Sequence, residues 1–145
     1  MTQPPIPAER SLVLVKPDAV RRNIVGEVLR RVEAKGYTIV ELMMRTADGE
    51  LLARHYSEHD GKPFYGPLIE FMSSGPVVAV VIEGHGCVEG FRSLAGATDP
   101  TVAAPGTIRG DLGRDWGVKV QQNLVHGSDS PESAVRELGI WFPPV

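Results

Sequence analysis

Apolar residues recur along the chain in two rhythms. Ser11-Leu-Val-Leu-Val15 and Val77-Val-Ala-Val-Val-Ile82 are short unbroken aliphatic runs rich in β-branched residues, which predicts strands buried on both faces. Val25, Val28, Leu29 and Val32 instead fall at i, i+3, i+4 and i+7, predicting an amphipathic helix closed at Gly36. Tyr37 to Met44 predicts a further strand. Thr46 to His59, with Leu51, Leu52, His55 and Tyr56 at helical spacing, and a second run after Pro67 through Glu70-Phe71 predict a helical hairpin ended by Gly75-Pro76. A helix is expected over Cys87 to Leu94 and a brief strand over Asn123 to His126. A last helix starts at Ser130-Pro131-Glu132, where an N-cap, a proline at the first helical position and an acid coincide.

Two segments break the rhythm. Lys16-Pro17-Asp18 reads as a stop after the first strand. Gly96 to Gln122 is rich in Gly, Pro, Asp and Thr without a period, and a loop that long inside a compact domain is usually functional. The order β-α-β-(αα)-β-α-β-α describes an α/β sandwich of the split βαβ type: a four-stranded antiparallel sheet, helices packed on it and an inserted helical hairpin. Residues 1–8, with three prolines and little to bury, are expected to be a flexible leader, and residues 9–145 a single domain.

Composition narrows the function. Every apolar stretch is interrupted well short of the roughly 18 residues a membrane span needs, so no membrane role is expected. A net charge of -3 argues against duplex DNA held by bulk charge, and no nucleic-acid partner is required. One cysteine, Cys87, can form neither an internal disulfide nor a Cys-based zinc cage; with no export signal in Met1 to Arg10, a cytoplasmic protein is expected. Cys87 reads as a small packing residue.

His126 is the strongest chemical candidate, because a short strand delivers it to the polar turn Gly127-Ser128-Asp129. Ser128 and Asp129 can fix that turn, and Glu137 on the next helix can reach back to the ring. A histidine oriented by a carboxylate serves as base, metal ligand or covalent nucleophile. Lys16 at the end of a buried strand must find an anion or a route to solvent; an ordinary ion pair could serve it, Arg92 or Arg109 singly, but a phosphate would satisfy all three together. No G-x-x-x-x-G-K-[ST] loop is present, so side-chain cations would replace a backbone cradle. Gly84-His-Gly86 lacks dinucleotide-fingerprint spacing and reads as a turn.

Leu-Val-Lys16-Pro-Asp18, His55-Tyr56, Gly61-Lys-Pro-Phe64, Ser74-Gly-Pro76, Gly96-Ala-Thr98-Asp-Pro100, Pro105-Gly-Thr-Ile-Arg109-Gly-Asp111 and Asn123-Leu-Val-His126-Gly-Ser-Asp129 together resemble the nucleoside diphosphate kinases, from about Glu9 to Phe142. The resemblance implies a ferredoxin-like fold and ping-pong transfer of the γ-phosphate of ATP to a nucleoside diphosphate through a phosphohistidine at His126. It further implies Glu137 as orienting carboxylate, Ser128 bonded nearby, and Lys16, Tyr56, Arg92, Thr98, Arg109 and Asn123 around the nucleotide or the histidine. Phe64 and Val120 match the pair that clamps the base, which predicts broad base tolerance. Mg²⁺ is implied on the nucleotide phosphates without direct protein ligands, Asp129 being a candidate for its outer shell. Assembly as a homo-oligomer, hexamer or tetramer, is implied too, with the apolar C-terminal tail as a subunit contact.

The chain departs from the family pattern at Gly113 to Gln122, which is a few residues longer than expected. Leu112 and Gln122 replace the usual Phe and Arg, and Trp116 within the segment reads first as a packing residue and second as a new contact to nucleotide or neighbour. His55-Tyr-Ser-Glu58-His59 also spells the H-x-x-E-H zinc pattern of inverted metalloproteases, a second reading. Arg109-Gly110-Asp111 spells an adhesion tripeptide but reads as a phosphate-binding loop. A binding module that kept the fold without the chemistry is the third reading.

Overall fold

The computed structural model describes residues 8–118, 120 and 122–144. Of the expected leader only Ala8 falls among them. The described residues form β1 (Glu9–Val15), α1 (Pro17–Arg21), α2 (Val25–Ala34), β2 (Thr38–Arg45), α3 (Gly49–His55), α4 (Tyr65–Met72), β3 (Val77–Gly84), α5 (Cys87–Ala95), α6 (Ile108–Leu112), β4 (Val125–Gly127) and α7 (Pro131–Trp141). The sheet runs β2-β3-β1-β4, and every neighbouring pair is antiparallel.

Strand alternation explains why the aliphatic runs had to be buried on both sides. Val13 and Val15 of β1, with Val78, Val80 and Ile82 of β3, enter one core together with Val28, Val32 and Phe91. Leu12 and Leu14, with Val77 and Ala79, enter a second core with Leu51, Leu52, Met72 and Trp141. Each fully buried Leu, Val or Ile contributes about 1.5–3 kcal/mol relative to exposure, so β1 is stabilised from both faces. The helical hairpin α3/α4 covers the second face.

Three expectations need correction. Lys16-Pro17-Asp18 does not merely stop β1: Pro17 opens the five-residue helix α1, where its missing N–H costs nothing at the first helical position. The segment 96–122 is not free of regular structure, because Thr107 caps α6 by accepting the Gly110 N–H at 2.9 Å. The final strand also begins later than expected, at Val125, leaving Asn123 and Leu124 as a turn before it.

Candidate active site

Lys16 leaves the end of β1 and its backbone N–H donates to the Leu124 carbonyl at 2.8 Å, continuing the β1–β4 junction past the strand. The turn beyond is tight: Leu124 has φ 76, and the Val125 N–H returns to the Asn123 carbonyl at 2.8 Å. A non-glycine residue in this region costs on the order of 1–3 kcal/mol, so the surroundings must enforce it. Asp18 in the first turn of α1 does part of that, one oxygen accepting the Leu124 N–H at 3.1 Å.

Around the turn the cations are already engaged. Lys16 Nζ donates to Asn123 Oδ1 at 2.8 Å, and Asn123 Nδ2 donates to the Thr98 carbonyl at 3.1 Å. Arg109 is buried and donates through Nε, Nη1 and Nη2 to the carbonyls of Asn123, Gly96 and Val125 at 3.0, 2.9 and 2.7 Å. A guanidinium has five N–H groups, so among the described residues two remain for a ligand. Burial and the Arg109 charge lower Lys16 to about 8, with Asp18 opposing them; burial and Arg92 lower Arg109 to about 10. Both stay protonated at neutral pH, and with Arg92 they outnumber the carboxylates Glu89 and Asp129 that line the same lobe, so a phosphate is welcome.

His126 stands opposite Leu14 in the β1–β4 ladder, so its side chain emerges on the face covered by α3 and α7. Helix α7, capped by Ser130 with Pro131 behind it, brings Glu137 and Trp141 to that face one turn apart. Glu137 Oε1 lies 2.8 Å from His126 Nε2 and accepts the Ser128 hydroxyl at 2.8 Å. Ser128 Oγ also accepts the Leu12 N–H at 3.3 Å, fastening the arrangement to β1. Burial pushes the Glu137 carboxyl up, but the hydrogen bond and charge of His126, with His55 and Ser128, outweigh it and hold it below its ordinary value. An ionised carboxylate only accepts, so Nε2 carries the proton and the Nδ1 lone pair is left for chemistry.

Behind His126 stands a second histidine. His55 packs edge-on against it, ring centroids 4.8 Å apart, and its Nδ1 accepts the Trp141 Nε1–H at 3.0 Å. Burial and the His126 charge drive His55 down to about 3, so it is neutral. The Trp141 bond also corrects the zinc reading. His55 ends α3 while His59 lies in the 3₁₀ turn Ser57–His59, so no one helical face carries both. The ligand atoms of His55, His126 and Glu137 do lie within 4.8 Å of one another, but His126 Nε2 and Glu137 Oε1 are engaged with each other and His55 Nδ1 with Trp141.

The cleft has two lobes of about 620 Å³ each. Arg92, Arg109 and Asp129 line the polar lobe; Tyr56, His59, Phe64, Leu68 and Val120 line the apolar one. Lys16, Thr98, Asn123 and His126 line both and mark their junction. Every expected nucleotide residue therefore faces one cavity, while Ser128 and Glu137 lie behind His126. Sequence reasoning gave Asp18 and Trp141 no role in the site and read His55 only as a zinc ligand; the four-residue step from Glu137 to Trp141 was the available signal for the tryptophan. Trp116 is not a core residue: it is 45% exposed, its ring 4.6 Å from the Arg114 guanidinium and 5.6 Å from that of Arg22. Arg109 is buried, so Arg-Gly-Asp is no displayed tripeptide. Cys87 is a buried free thiol, pushed up to about 11 by burial and Glu9.

This geometry has close parallels. Residues 9–145 match the family model described as nucleoside diphosphate kinase. The nucleoside diphosphate kinase of Streptomyces coelicolor is 61% identical over 136 residues, 93% of this chain and 96% of that protein. That of Thermobifida fusca is 59% identical over 135 residues, 93% and 97% of the two chains. Among solved structures, a halophilic nucleoside diphosphate kinase from Halobacterium salinarum in complex with CDP superposes with a TM-score of 0.88 at 44% identity, covering 95% of this chain and 90% of that one. The apo enzyme from Encephalitozoon cuniculi gives 0.87 at 37% identity, covering 94% and 90%. Matched across the whole of its sheet and cleft, the chain belongs to the nucleoside diphosphate kinase family.

Proposed function

We propose that this nucleoside diphosphate kinase carries its phosphoryl intermediate on His126, with Nδ1 as the attacking atom. The observation that carries the reading is the Glu137–His126 contact at 2.8 Å at the junction of the two lobes. In the first half-reaction the Nδ1 lone pair forms a bond to the γ-phosphorus of ATP while the bond to the bridging oxygen breaks, and the diphosphate leaves. Nε2 keeps its proton, and Glu137 offsets the positive charge that develops on the ring. In the second, a terminal oxygen of a nucleoside diphosphate attacks phosphorus and the P–N bond breaks, restoring the lone pair.

The polar lobe would receive the phosphates. Lys16 and the two spare N–H groups of Arg109 meet the transferring group, with Arg92 and Thr98 behind it and Asn123 holding Lys16 in place. Phe64 and Val120 would clamp the base in the apolar lobe. Because that lobe offers area and few hydrogen bonds, purines and pyrimidines alike are accepted. Divalent metal use belongs to the family, and we assign the ion as Mg²⁺. Among the described residues the phosphate side of the cleft holds no group of acids able to cage a cation. The site therefore suits an ion carried on the nucleotide phosphates, with Asp129 reaching it through water. When bound, such an ion offsets phosphate charge.

No helix among the described residues is long and apolar enough to cross a membrane, and we place the enzyme in the cytoplasm. Leu42 and Met44, exposed on the edge strand β2, support a homo-oligomer, hexamer or tetramer. Light scattering reads the number directly.

A chase with γ-labelled ATP and Mg²⁺ on wild type and His126→Ala tests the central assignment. An acid-labile phosphoenzyme in wild type alone, discharged by added diphosphates as new triphosphates, is the expected result. Label on the alanine variant would move the nucleophile elsewhere, and no label on folded, ATP-binding wild type would make the chain a binding module.

A further inference from the structure

We propose that the Asp18 carboxylate is a positioning residue for His126 and Asn123: by accepting the Leu124 N–H it holds the left-handed turn that aims both side chains into the cleft.

Asp18 is 4% exposed and lines neither lobe, so it has no route to a bound nucleotide. A buried carboxylate is costly to keep, and among the described residues this one makes a single hydrogen bond: Oδ2 takes the Leu124 N–H at 3.1 Å, while Oδ1 is buried without a partner there. That one bond lands on a leucine whose φ of 76 lies where Cβ crowds the following carbonyl, a conformation ordinarily left to glycine. Leucine occupies it here because the fully buried side chain fills the core and glycine could not. The three-residue turn Asn123–Val125 is therefore strained by its own residue choice, and it persists because neighbours fix both of its polar ends.

Those neighbours all come from the β1–α1 corner or from α6. Lys16 N–H holds the Leu124 carbonyl at 2.8 Å, Arg109 Nε holds the Asn123 carbonyl at 3.0 Å, and Asp18 holds the Leu124 N–H. Remove Asp18 and that N–H is a buried donor with no acceptor, while the leucine gains an incentive to relax to extended backbone. Relaxation rotates the peptide before Val125, withdraws Asn123 Oδ1 from Lys16 Nζ and shifts β4, which joins the sheet over only three positions. The nucleotide contacts of Phe64 and Arg92 do not pass through the turn, and Thr98 touches it only through its backbone carbonyl. Loss of Asp18 should therefore slow phosphorylation of His126 while leaving nucleotide affinity nearly intact.

The proposal rests on His126 as the phosphorylated residue, so the same labelling assay carries both tests: unlabelled wild type fails that assignment, not this one. Asp18→Ala and Asp18→Asn are compared with wild type at pH 7 and low temperature by single-turnover labelling from γ-labelled ATP, ADP affinity, and hydrogen exchange at the Leu124 amide. Asparagine keeps an oxygen acceptor and removes the charge. Expected for the alanine variant are faster exchange at Leu124, labelling slowed on the order of 10-fold or more, and ADP affinity within about threefold. Asp18→Asn is expected to restore both slow exchange and rate. Wild-type labelling by folded Asp18→Ala overturns the proposal. So does an asparagine variant as slow as alanine, which would make the carboxylate act by its charge on Lys16 and Arg109. Should Asp18→Ala fail to fold by near-ultraviolet circular dichroism, the asparagine variant decides alone: slow exchange with preserved rate supports the turn, and loss of either refutes it.

Discussion

In the polar lobe Lys16, Arg109 and Asn123 reach the cleft already bonded to protein, whereas in the apolar lobe Phe64 stands 48% exposed where the α3/α4 hairpin turns. Donors on one side are fixed before any ligand arrives, so little reorganisation accompanies phosphate binding. The other side offers rings loosely set against each other, His59 and Phe64 at 5.3 Å between centroids and Lys62 5.8 Å above the Phe64 ring. The contrast is between a region that must reproduce one geometry to a fraction of an ångström and a region that must accept several bases. Rigidity has gone where the chemistry is invariant.

If that division is right, substitutions should separate by lobe. The largest effect is expected at the junction: His126→Ala should lower kcat by about 10⁴-fold or more with unchanged nucleotide affinity, measured by coupled assay and calorimetry. Next comes Arg109→Ala, which removes a phosphate partner and takes a donor from each of the carbonyls of Gly96, Asn123 and Val125. We expect kcat/KM to fall about 10²- to 10³-fold and stability by about 2–4 kcal/mol, read by turnover and urea melts. Arg109→Lys should rescue little, since an ammonium cannot span three carbonyls.

A third test uses pH. Lys16, lowered to about 8 from 10.5, must be protonated to hold phosphate, so kcat/KM should decline as pH rises through about 8 in the free enzyme. Stability should move the opposite way. A depressed lysine penalises folding fully below its folded value and ceases to do so as pH passes 10.5. A decline placed near 10.5 would mean that the corner is wetter than its packing indicates. Phe64→Ala should raise KM about 10-fold with kcat within about twofold, a pure binding effect. Smallest of all, Trp116→Ala should change activity less than about twofold, since an exposed cation–π stack is worth about 0.5–1 kcal/mol.

The strands, the long helices and the cleft residues were legible because each leaves a local mark: a β-branched run, a 3.6-residue period, a motif with chemistry in it. Helices α1 and α6 left none, since five residues do not complete two turns of a period. The turn at Leu124 was illegible for another reason. Leucine favours neither left-handed backbone nor a strand end, and what forces it there is a carboxylate over a hundred residues earlier in the chain. The spacing of His55 and His59 suggested one helix face, and only the observed end of α3 after His55 separates them. Of the two readings of Trp116, packing fails because a tryptophan ordinarily buries its ring, whereas here two guanidinium groups cover part of it instead.

The central strand β1 touches its chemical partners across great lengths of chain, Lys16 meeting Asn123 and Leu12 meeting Ser128. On the ribosome this has a temporal meaning. A nascent chain that has emerged through α5 would own β1, β3 and most of the cations, yet nothing to phosphorylate. His126, then Glu137 and Trp141 one turn apart on α7, arrive last among these elements, so phosphotransfer would begin only once α7 has docked. Catalytic competence thus reports completed translation of the described fold.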